Sequence, residues 1–223
     1  MLFLVKYMVL FVTLVASRVC DLPGNFTYTS GAHIIVARGS LEPQGLGIIG
    51  AVAREILNRI PNSGVTALKY PAIYEPYKPS QTEGVRALAE VVSQYAARCP
   101  KTKMILLGYS QGAHVIADVM CGASSIGFPA TEPQPLNTTN KIAAVVSMGD
   151  PSTTQGQAFH VGNSEGDGNP NGCQYVSSKT ISFCDAGDPF CEVGGHDLST
   201  HMRYVSEYGR TAADFAVSMF YLS

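Results

Sequence analysis

The sequence predicts an α/β fold: a three-layer sandwich in which helices cover both faces of a five-stranded parallel sheet. Short apolar runs alternate with longer segments of helical periodicity along the chain. The runs are continuously apolar, which is typical of strands buried on both faces. With 223 residues, 46% hydrophobic and 14% charged, the chain has the length and composition of one folded domain with a sizeable core.

Five apolar runs predict the strands of this sheet. They lie at residues 33–37, 64–68, 103–108, 142–149 and 179–184. Each is short and is bounded by glycine, proline or polar residues, as strands commonly are. Because helical segments separate most of the consecutive strands, we expect parallel pairing with right-handed crossovers.

Four segments have the periodicity of helices, at residues 47–60, 84–99, 111–120 and 207–222. In the first of them, isoleucine or valine recurs at every fourth residue, so that one face of the helix is apolar. Residues 150–178 are instead rich in Gly, Asn, Ser and Gln. This composition predicts a surface excursion rather than a second domain.

The N-terminal residues predict secretion. Residues 1–17 combine an early lysine with an apolar stretch and small residues near a cleavage point, the pattern of a signal peptide. The alternative is a membrane anchor, but the apolar run is short for a membrane span. We therefore expect a signal peptide over residues 1–17 and a single extracellular domain over residues 18–223, with no membrane span after processing.

The cysteines and two glycosylation motifs fit an extracellular protein. The six cysteines are Cys20, Cys99, Cys121, Cys173, Cys184 and Cys191. An even count in a secreted chain predicts three disulfides, whose pairing the spacing leaves open. None has the C-x-x-C spacing of a zinc site, and we expect no metal. Asn25 and Asn137 begin N-x-T motifs and are predicted to be glycosylated on the surface.

The charge of the chain excludes some classes of partner. The formal net charge is −2, and the basic residues are scattered along the sequence. Nothing therefore indicates a nucleic-acid or anionic-membrane surface.

The motif G-x-S-x-G at residues 108–112 carries the first indication of chemistry. It lies between a predicted strand and a predicted helix, where a nucleophile elbow places a serine above the carboxyl end of a sheet. Gly108 and Gly112 have no Cβ to clash in such a sharp turn. The helix that follows favours negative charge near its N-terminus. Ser110 is therefore a candidate nucleophile rather than an ordinary turn residue.

A serine hydroxyl requires a base, and the chain has five histidines. His33 lies in a predicted strand, His114 in the helix after Ser110 and His160 in the excursion, and we interpret the first two as structural. His196 and His201 come late in the chain, where α/β-hydrolases carry the histidine.

The acid should precede the histidine, and residues 184–191 offer Asp185 and Asp188. A disulfide between the cysteines at the two ends of this segment would stabilise the fold by about 2.5 kcal/mol and would hold a carboxylate against the imidazole. Asp150 is a rival acid at the end of the fourth strand. We interpret it as structural, because a carboxylate there can accept backbone N–H groups.

Five motifs occur in an order that resembles a known family. They are "ARGSLEPQGLG" (37–47), "GYSQGAHVIADVMCG" (108–122), "MGDP" (148–151), "CDAGDPFC" (184–191) and "THMRYVSEYG" (200–209). Together they resemble the cutinase and acetylxylan esterase family, carbohydrate esterase family five, over residues 20–222. The cysteine in "DVMCG" and the segment "SEYG" make the chain more similar to the acetylxylan esterases.

The resemblance implies a small α/β-hydrolase without a lid. It implies a triad in which Ser110 is the nucleophile, His201 the base and Asp188 the acid, and an ester substrate cleaved through an acyl-enzyme. It implies an oxyanion hole formed by the backbone N–H and hydroxyl of Ser40 and the backbone N–H of Gln111. Such chemistry requires neither a metal nor an organic cofactor, and we expect a monomer.

The resemblance also implies two disulfides, Cys20–Cys99 and Cys184–Cys191, which leave Cys121–Cys173 by subtraction. It implies release of acetyl groups from plant xylan, with cleavage of cutin or another small ester as the alternatives. Two departures bear on this choice. The segment 70–84 lacks the extra cysteine pair of many acetylxylan esterases, and apolar residues occur near His201, namely Val193, Leu198 and Met202.

A secreted binding protein on an inactive hydrolase scaffold is the alternative outside enzymes. Replacement of any triad residue would favour it. All three triad positions hold the residue types that catalysis requires.

Overall fold

The strands form a single parallel sheet. In the computed structural model, which describes residues 31–99, 101–122, 127–153, 157–161 and 173–223, the strands are β1 (Ala32–Ala37), β2 (Gly64–Ala67), β3 (Lys103–Tyr109), β4 (Ile142–Met148), β5 (His160–Val161) and β6 (Thr180–Phe183). Their order is β2-β1-β3-β4-β6-β5, and every pair is parallel. The carboxyl ends of all strands therefore lie along one edge of the sheet, where a site can form.

All five predicted strands are confirmed, and the structure adds a sixth. The additional strand, β5, has two residues and pairs with β6 at the edge of the sheet. It lies within the polar excursion of residues 150–178. Two residues are too few to carry a hydrophobic period, which is why the sequence pattern did not reveal it.

Helices cover both faces of the sheet. They are α1 (Gly50–Arg59), α2 (Tyr77–Arg98), α3 (Gln111–Cys121), α4 (Leu136–Thr139), α5 (Leu198–Met202) and α6 (Tyr204–Leu222). Helices α1 and α6 pack together on one face, and α2 and α3 pack together on the other. The predicted three-layer architecture is therefore correct.

The helix boundaries differ from the prediction where the first turn is polar. Helix α2 begins at Tyr77, seven residues before the predicted start at residue 84. Pro79 lies in its first turn, where the backbone N–H that proline lacks has no acceptor within the helix. The short helices α4 and α5 were not predicted, because one turn has too few residues for a period.

The central strands are apolar on both faces, as their sequence indicated. Val36, Leu107 and Val146 are in register across three strands and pack against the layer of α1 and α6. Ile35 and Leu106, one residue earlier, pack against the layer of α2 and α3. All five side chains are fully buried. Since neighbouring side chains alternate between two buried faces, the strands are continuous apolar runs.

Two disulfides match the pairing implied by the family resemblance. Cys121 is bonded to Cys173, which joins the end of α3 to the excursion, and Cys184 is bonded to Cys191. Cys99 is also in a disulfide. Its predicted partner, Cys20, lies outside the described residues, as do the predicted signal peptide and Asn25. Asn137 is exposed on α4, as a glycosylated residue must be.

No helix in the described part of the chain is both long enough and apolar enough to cross a membrane.

Candidate active site

Ser110 occupies a strained turn between β3 and α3. Its backbone has φ 52° and ψ −119°, a conformation that residues other than glycine rarely adopt. A Cβ at Gly112 would lie 2.0 Å from the carbonyl oxygen of Ala37, and a Cβ at Gly108 would lie 2.6 Å from Cα of Ala113. Glycine is therefore required on both sides of Ser110, as the motif predicted.

Asp188 and His201 form a buried pair. The two atoms Asp188 Oδ2 and His201 Nδ1 are 2.8 Å apart, and Asp188 is fully buried. The other carboxylate oxygen accepts the backbone N–H of Phe190 at 2.8 Å. The loop between Cys184 and Cys191 thus presents Asp188 to the imidazole with both of its oxygens engaged.

The surroundings of Asp188 stabilise its charge. Burial by itself raises the pKa of a carboxyl group. Around Asp188 this effect is outweighed by the hydrogen bond and charge of His201, by the Phe190 N–H and by the hydroxyl of Tyr204, so that its pKa lies below the ordinary value. Asp188 therefore remains ionised at neutral pH although water does not reach it.

The imidazole of His201 and the backbone of Ser110 meet at the end of β4. The N–H of Ser110 donates to the carbonyl of Met148 at 2.8 Å. The next residue, Gly149, has φ 60°, and a Cβ there would lie 2.6 Å from Cε1 of His201. The hydroxyl of Tyr109 also donates to the backbone carbonyl of His201. The nucleophile turn and the short helix that carries His201 are thereby joined.

The other candidate histidines lie elsewhere. His196 is exposed. His33 lies in β1, with Nε2 3.0 Å from the hydroxyl of Thr66. His114, on α3, has Nδ1 3.0 Å from the hydroxyl of Tyr77. Both His33 and His114 therefore have partners other than Asp188, in keeping with their interpretation as structural.

The other candidate acids also have separate partners. Asp185 accepts the hydroxyl of Tyr208 through both of its carboxylate oxygens, at 2.9 and 3.1 Å. Asp150 accepts the backbone N–H and the hydroxyl of Ser152, at 2.8 and 2.7 Å, in keeping with its interpretation as structural. Burial raises the pKa of both Asp150 and Asp185, although nearby hydrogen bonds and positive charge oppose the shift.

Ser40 and Gln111 lie at the ends of β1 and β3, on either side of the nucleophile turn. A Cβ at Gly39, beside Ser40, would lie 3.4 Å from Cβ of Ser110. The hydroxyl of Ser40 is buried and has no hydrogen-bond partner among the described residues. Gln111 begins α3, where backbone N–H groups have no acceptor within the helix.

A single loop contacts the residue after Ser40 and the side chain of Gln111. In the loop after β2, the carbonyl of Ala72 accepts the N–H of Leu41 at 2.8 Å. The next carbonyl, that of Ile73, accepts the side-chain amide N–H of Gln111 at 2.9 Å. The hydroxyl of Ser80, in α2, donates to the other end of that amide at 2.9 Å. The residue after Ser40 and the side chain of Gln111 are therefore held by one segment.

Sequence reasoning missed the two charged residues that shape the Ser40 turn. The carboxylate of Glu42 accepts the N–H of Gly39 at 2.7 Å and that of Ile48 at 2.6 Å. Arg38 is almost fully buried, and its guanidinium donates to the backbone carbonyls of Glu42 and Tyr70. Two charged residues beside a buried strand were the available signal, since such residues are seldom buried unless they are paired.

Several apolar side chains lie in segments next to the candidate site residues. The exposed ones, which we call the apolar rim, come from the segments next to Ser40, Gln111 and His201: Leu41, Ile73, Tyr74, Val193, Leu198 and Met202. Half-buried Phe190 extends the rim inward, because its ring lies 4.5 Å from that of His201 and 6.2 Å from that of Tyr74. The sequence indicated only Val193, Leu198 and Met202 as apolar neighbours.

Within the described ranges, no group of three or more His, Cys, Asp or Glu side chains is arranged to hold a metal ion.

Comparison with known proteins identifies the family. A sequence profile of the cutinase family matches residues 28–220. Acetylxylan esterase 2 of Talaromyces purpureogenus is 33% identical over 83% of this chain and 85% of its own length, and Cutinase 11 of Verticillium dahliae is 32% identical over 83% and 68%. The catalytic core domain of acetyl xylan esterase from Trichoderma reesei superposes with a TM-score of 0.80 at 30% identity, covering 86% of this chain and 99% of that domain. The chain therefore belongs to the cutinase family of carboxylic ester hydrolases.

Proposed function

We propose that the protein is a secreted serine esterase in which Ser110, His201 and Asp188 form the catalytic triad. One observation carries the proposal: buried Asp188 is hydrogen-bonded to Nδ1 of His201, whose ring lies against the strand end that holds the Ser110 turn. Nucleophile, base and acid also follow one another in the chain order of α/β-hydrolases.

The geometry supports the following steps. Asp188 accepts a hydrogen bond from Nδ1–H of His201. This leaves Nε2 of His201 free of a proton, so that it can accept the hydroxyl proton of Ser110. Ser110 Oγ attacks the ester carbonyl, and the proton passes from His201 to the departing alcohol. An acyl-enzyme remains, and water activated by the same histidine hydrolyses it. Asp188 stabilises the imidazolium in both halves of the reaction.

The tetrahedral intermediate requires donors for its oxyanion. We assign these to the backbone N–H and hydroxyl of Ser40 and to the backbone N–H of Gln111. Their support is that the Ser40 hydroxyl has no other partner among the described residues, and that Gln111 opens helix α3. Removal of one such donor typically raises the barrier by about 2.7–4 kcal/mol.

The proposed natural reaction is removal of acetyl groups from plant cell-wall xylan outside the cell. Two solved acetylxylan esterase structures align with this chain over 85% and 86% of its length, at 31% and 30% identity. Two disulfides in the described chain fit an oxidising compartment. The predicted signal peptide over residues 1–17 supports secretion.

The apolar rim favours a second candidate, cleavage of a longer acyl ester such as the polyester cutin. A long acyl chain gains about 0.8 kcal/mol for each methylene removed from water, so it requires apolar surface beside the nucleophile. Leu41 is 77% exposed directly after Ser40, and Met202 is 55% exposed directly after His201. An acetyl group is too small to use both sides of such a rim.

A chain-length profile distinguishes the two candidates. The measurement is kcat/KM for p-nitrophenyl acetate, butyrate, octanoate and palmitate, with acetate release from acetylated xylan and cleavage of cutin alongside. If the protein deacetylates xylan, kcat/KM falls steeply beyond acetate and acetate is released from the polymer. If it is a cutinase, kcat/KM is highest at butyrate or a longer ester, cutin is cleaved and xylan is not. Ser110→Ala is the control that ties turnover to the proposed nucleophile.

A matched pair of leucines tests the role of the rim. Leu198 lies on the rim and Leu136 lies on α4, and they are exposed to almost the same extent, 56% and 54%. If the rim binds acyl chains, Leu198→Ser lowers kcat/KM for octanoate several-fold and leaves that for acetate unchanged. Leu136→Ser should alter neither. An equal response of the two esters to Leu198→Ser would remove the rim from acyl recognition.

A further inference from the structure

Tyr204, the first residue of α6, occupies the space behind the carboxylate of Asp188. Its side chain is fully buried. Its hydroxyl oxygen is 2.9 Å from the backbone nitrogen of Asp185 and 2.8 Å from Oδ2 of Asp188, and it contacts Sγ of Cys191 at 3.4 Å. The phenol thus joins the last helix to the disulfide loop that carries the acid.

The direction of these hydrogen bonds is fixed by chemistry. A backbone N–H can only donate, so the phenol oxygen accepts from Asp185. The single phenol proton is then donated to Asp188, which at neutral pH has only acceptor oxygens. The hydroxyl of Tyr204 is therefore an acceptor towards Asp185 and a donor towards Asp188, and these roles cannot be exchanged.

Tyr204 donates to the same oxygen as the catalytic imidazole. Oδ2 of Asp188 lies 2.8 Å from Nδ1 of His201 and 2.8 Å from the hydroxyl of Tyr204, whereas Oδ1 accepts the N–H of Phe190. Two donors on one oxygen share its negative charge, so each is held less strongly than it would be alone. The phenol therefore affects how strongly Asp188 stabilises the imidazolium.

A second tyrosine, one helical turn later, provides an internal comparison. Tyr208 donates to both carboxylate oxygens of Asp185, and its ring lies 6.3 Å from that of Tyr204 at an angle of 26°. The two tyrosines hold the two aspartates of one loop. Only the carboxylate held by Tyr204 touches the imidazole.

We propose that Tyr204 is a positioning residue of the triad, which fixes the rotation of the Asp188 carboxylate and sets how firmly it holds the protonated His201. This proposal rests on the proposed roles of Ser110, Asp188 and His201. The other titratable groups close to Asp188 are Asp185 in its own loop and Tyr109 at the end of β3. Neither of them has a hydrogen bond to the Asp188 carboxylate among the described residues.

The test compares Tyr204→Phe with Tyr208→Phe in the full-length protein. The measurement is kcat and KM for p-nitrophenyl acetate from pH 4 to pH 9. Without the phenol, Asp188 holds the imidazolium more firmly, so the acidic limb of kcat/KM should move to higher pH by roughly 0.5–1 unit. At the plateau, kcat should fall several-fold with KM unchanged, because the carboxylate loses one of its fixing contacts. Tyr208→Phe should leave the limb in place.

Incorporation of 3-fluorotyrosine at position 204 provides a second variant of nearly the same shape. Its hydroxyl is a stronger donor, so the acidic limb should move to lower pH, opposite to the effect of Tyr204→Phe. This variant decides the matter if Tyr204→Phe fails to fold. An unchanged limb in the variant that folds, or an equal shift in Tyr208→Phe, overturns the proposal.

The activity of the wild-type enzyme distinguishes failure of this proposal from failure of the proposed function. A wild-type enzyme with no Ser110-dependent turnover contradicts the triad itself. An active wild type whose pH profile ignores Tyr204 contradicts only the positioning role.

Discussion

The hydroxyl of Tyr109 donates to the backbone carbonyl of His201 across 92 residues of sequence. The two rings also meet edge to face, with their centroids 5.5 Å apart. Tyr109 directly precedes Ser110, so the residue that leads into the nucleophile turn also holds helix α5, which carries the proposed base. Burial, with the nearby charges of Asp188 and Glu42, raises the pKa of Tyr109, and its hydroxyl therefore remains a donor throughout the working pH range.

This contact predicts the effect of Tyr109→Phe. The change leaves a buried carbonyl without its donor and should lower the free energy of unfolding by about 1–3 kcal/mol. The backbone of His201 loses a fixed anchor, so kcat should fall by roughly tenfold while KM changes little. Urea unfolding and steady-state kinetics on p-nitrophenyl acetate measure the two effects. Full retention of kcat in a destabilised variant would contradict the positioning role of Tyr109.

The two aspartates of the disulfide loop predict opposite outcomes. Asp188→Asn preserves shape but removes the charge that orients the imidazole, and kcat should fall by about 10⁴-fold, as is typical of a triad acid. Asp185→Asn removes a carboxylate that accepts the hydroxyl of Tyr208 rather than the imidazole, and kcat should stay within a few-fold of the wild type. Comparable losses in the two variants would mean that the acid is misassigned.

Removal of each of the two described disulfides should affect the free energy of unfolding and kcat in opposite order. The Cys121–Cys173 bond spans 52 residues and the Cys184–Cys191 bond spans 7. By the chain-entropy relation, replacing the first pair with alanine costs about 4 kcal/mol and replacing the second costs about 2.5 kcal/mol. The shorter loop carries Asp188, so its loss should lower kcat more. Denaturant unfolding, with kcat measured at a temperature where both variants are folded, tests this crossed order.

His33 predicts how the stability of the fold depends on pH. Burial lowers the pKa of His33 to about 4 from an ordinary value of 6.5. The unfolded chain therefore binds this proton at a higher pH than the folded protein does. The contribution of His33 to stability is complete above pH 6.5 and is lost as the pH falls towards 4, by about 3 kcal/mol. Urea unfolding at half-unit intervals between pH 4 and 7 measures this slope.

His33→Phe should flatten that slope, because it retains a ring against Tyr95, which lies 4.2 Å away, and removes the titration. His196→Gln is the matched control at an exposed histidine, and it should leave the slope unchanged. A slope that survives in His33→Phe would assign the acid sensitivity to another group.

Much of the fold follows from patterns that are local in sequence. Residues 33–37 and 103–108 were predicted as strands because both of their faces are buried, and they became β1 and β3. The G-x-S-x-G turn was predictable because only glycine fits at both of its glycine positions. A Cβ at either one would lie 2.0 or 2.6 Å from a neighbouring backbone atom. Strand β5 was not predictable, since its two residues form a strand only by pairing with β6.

The sequence alone determined the architecture, the family and the small set of residues from which the site is built, because residue type, order and spacing are properties of the chain itself. The tertiary structure decided which members of that set meet. The residue pattern left Asp185 and Asp188 both open, and only the family resemblance implied Asp188. The fold brings Asp188 against His201 and Asp185 against Tyr208, although the two aspartates are three residues apart. The sequence likewise indicated only the part of the apolar rim that lies near His201. Leu41 and Ile73 come from distant segments, and their exposure depends on packing.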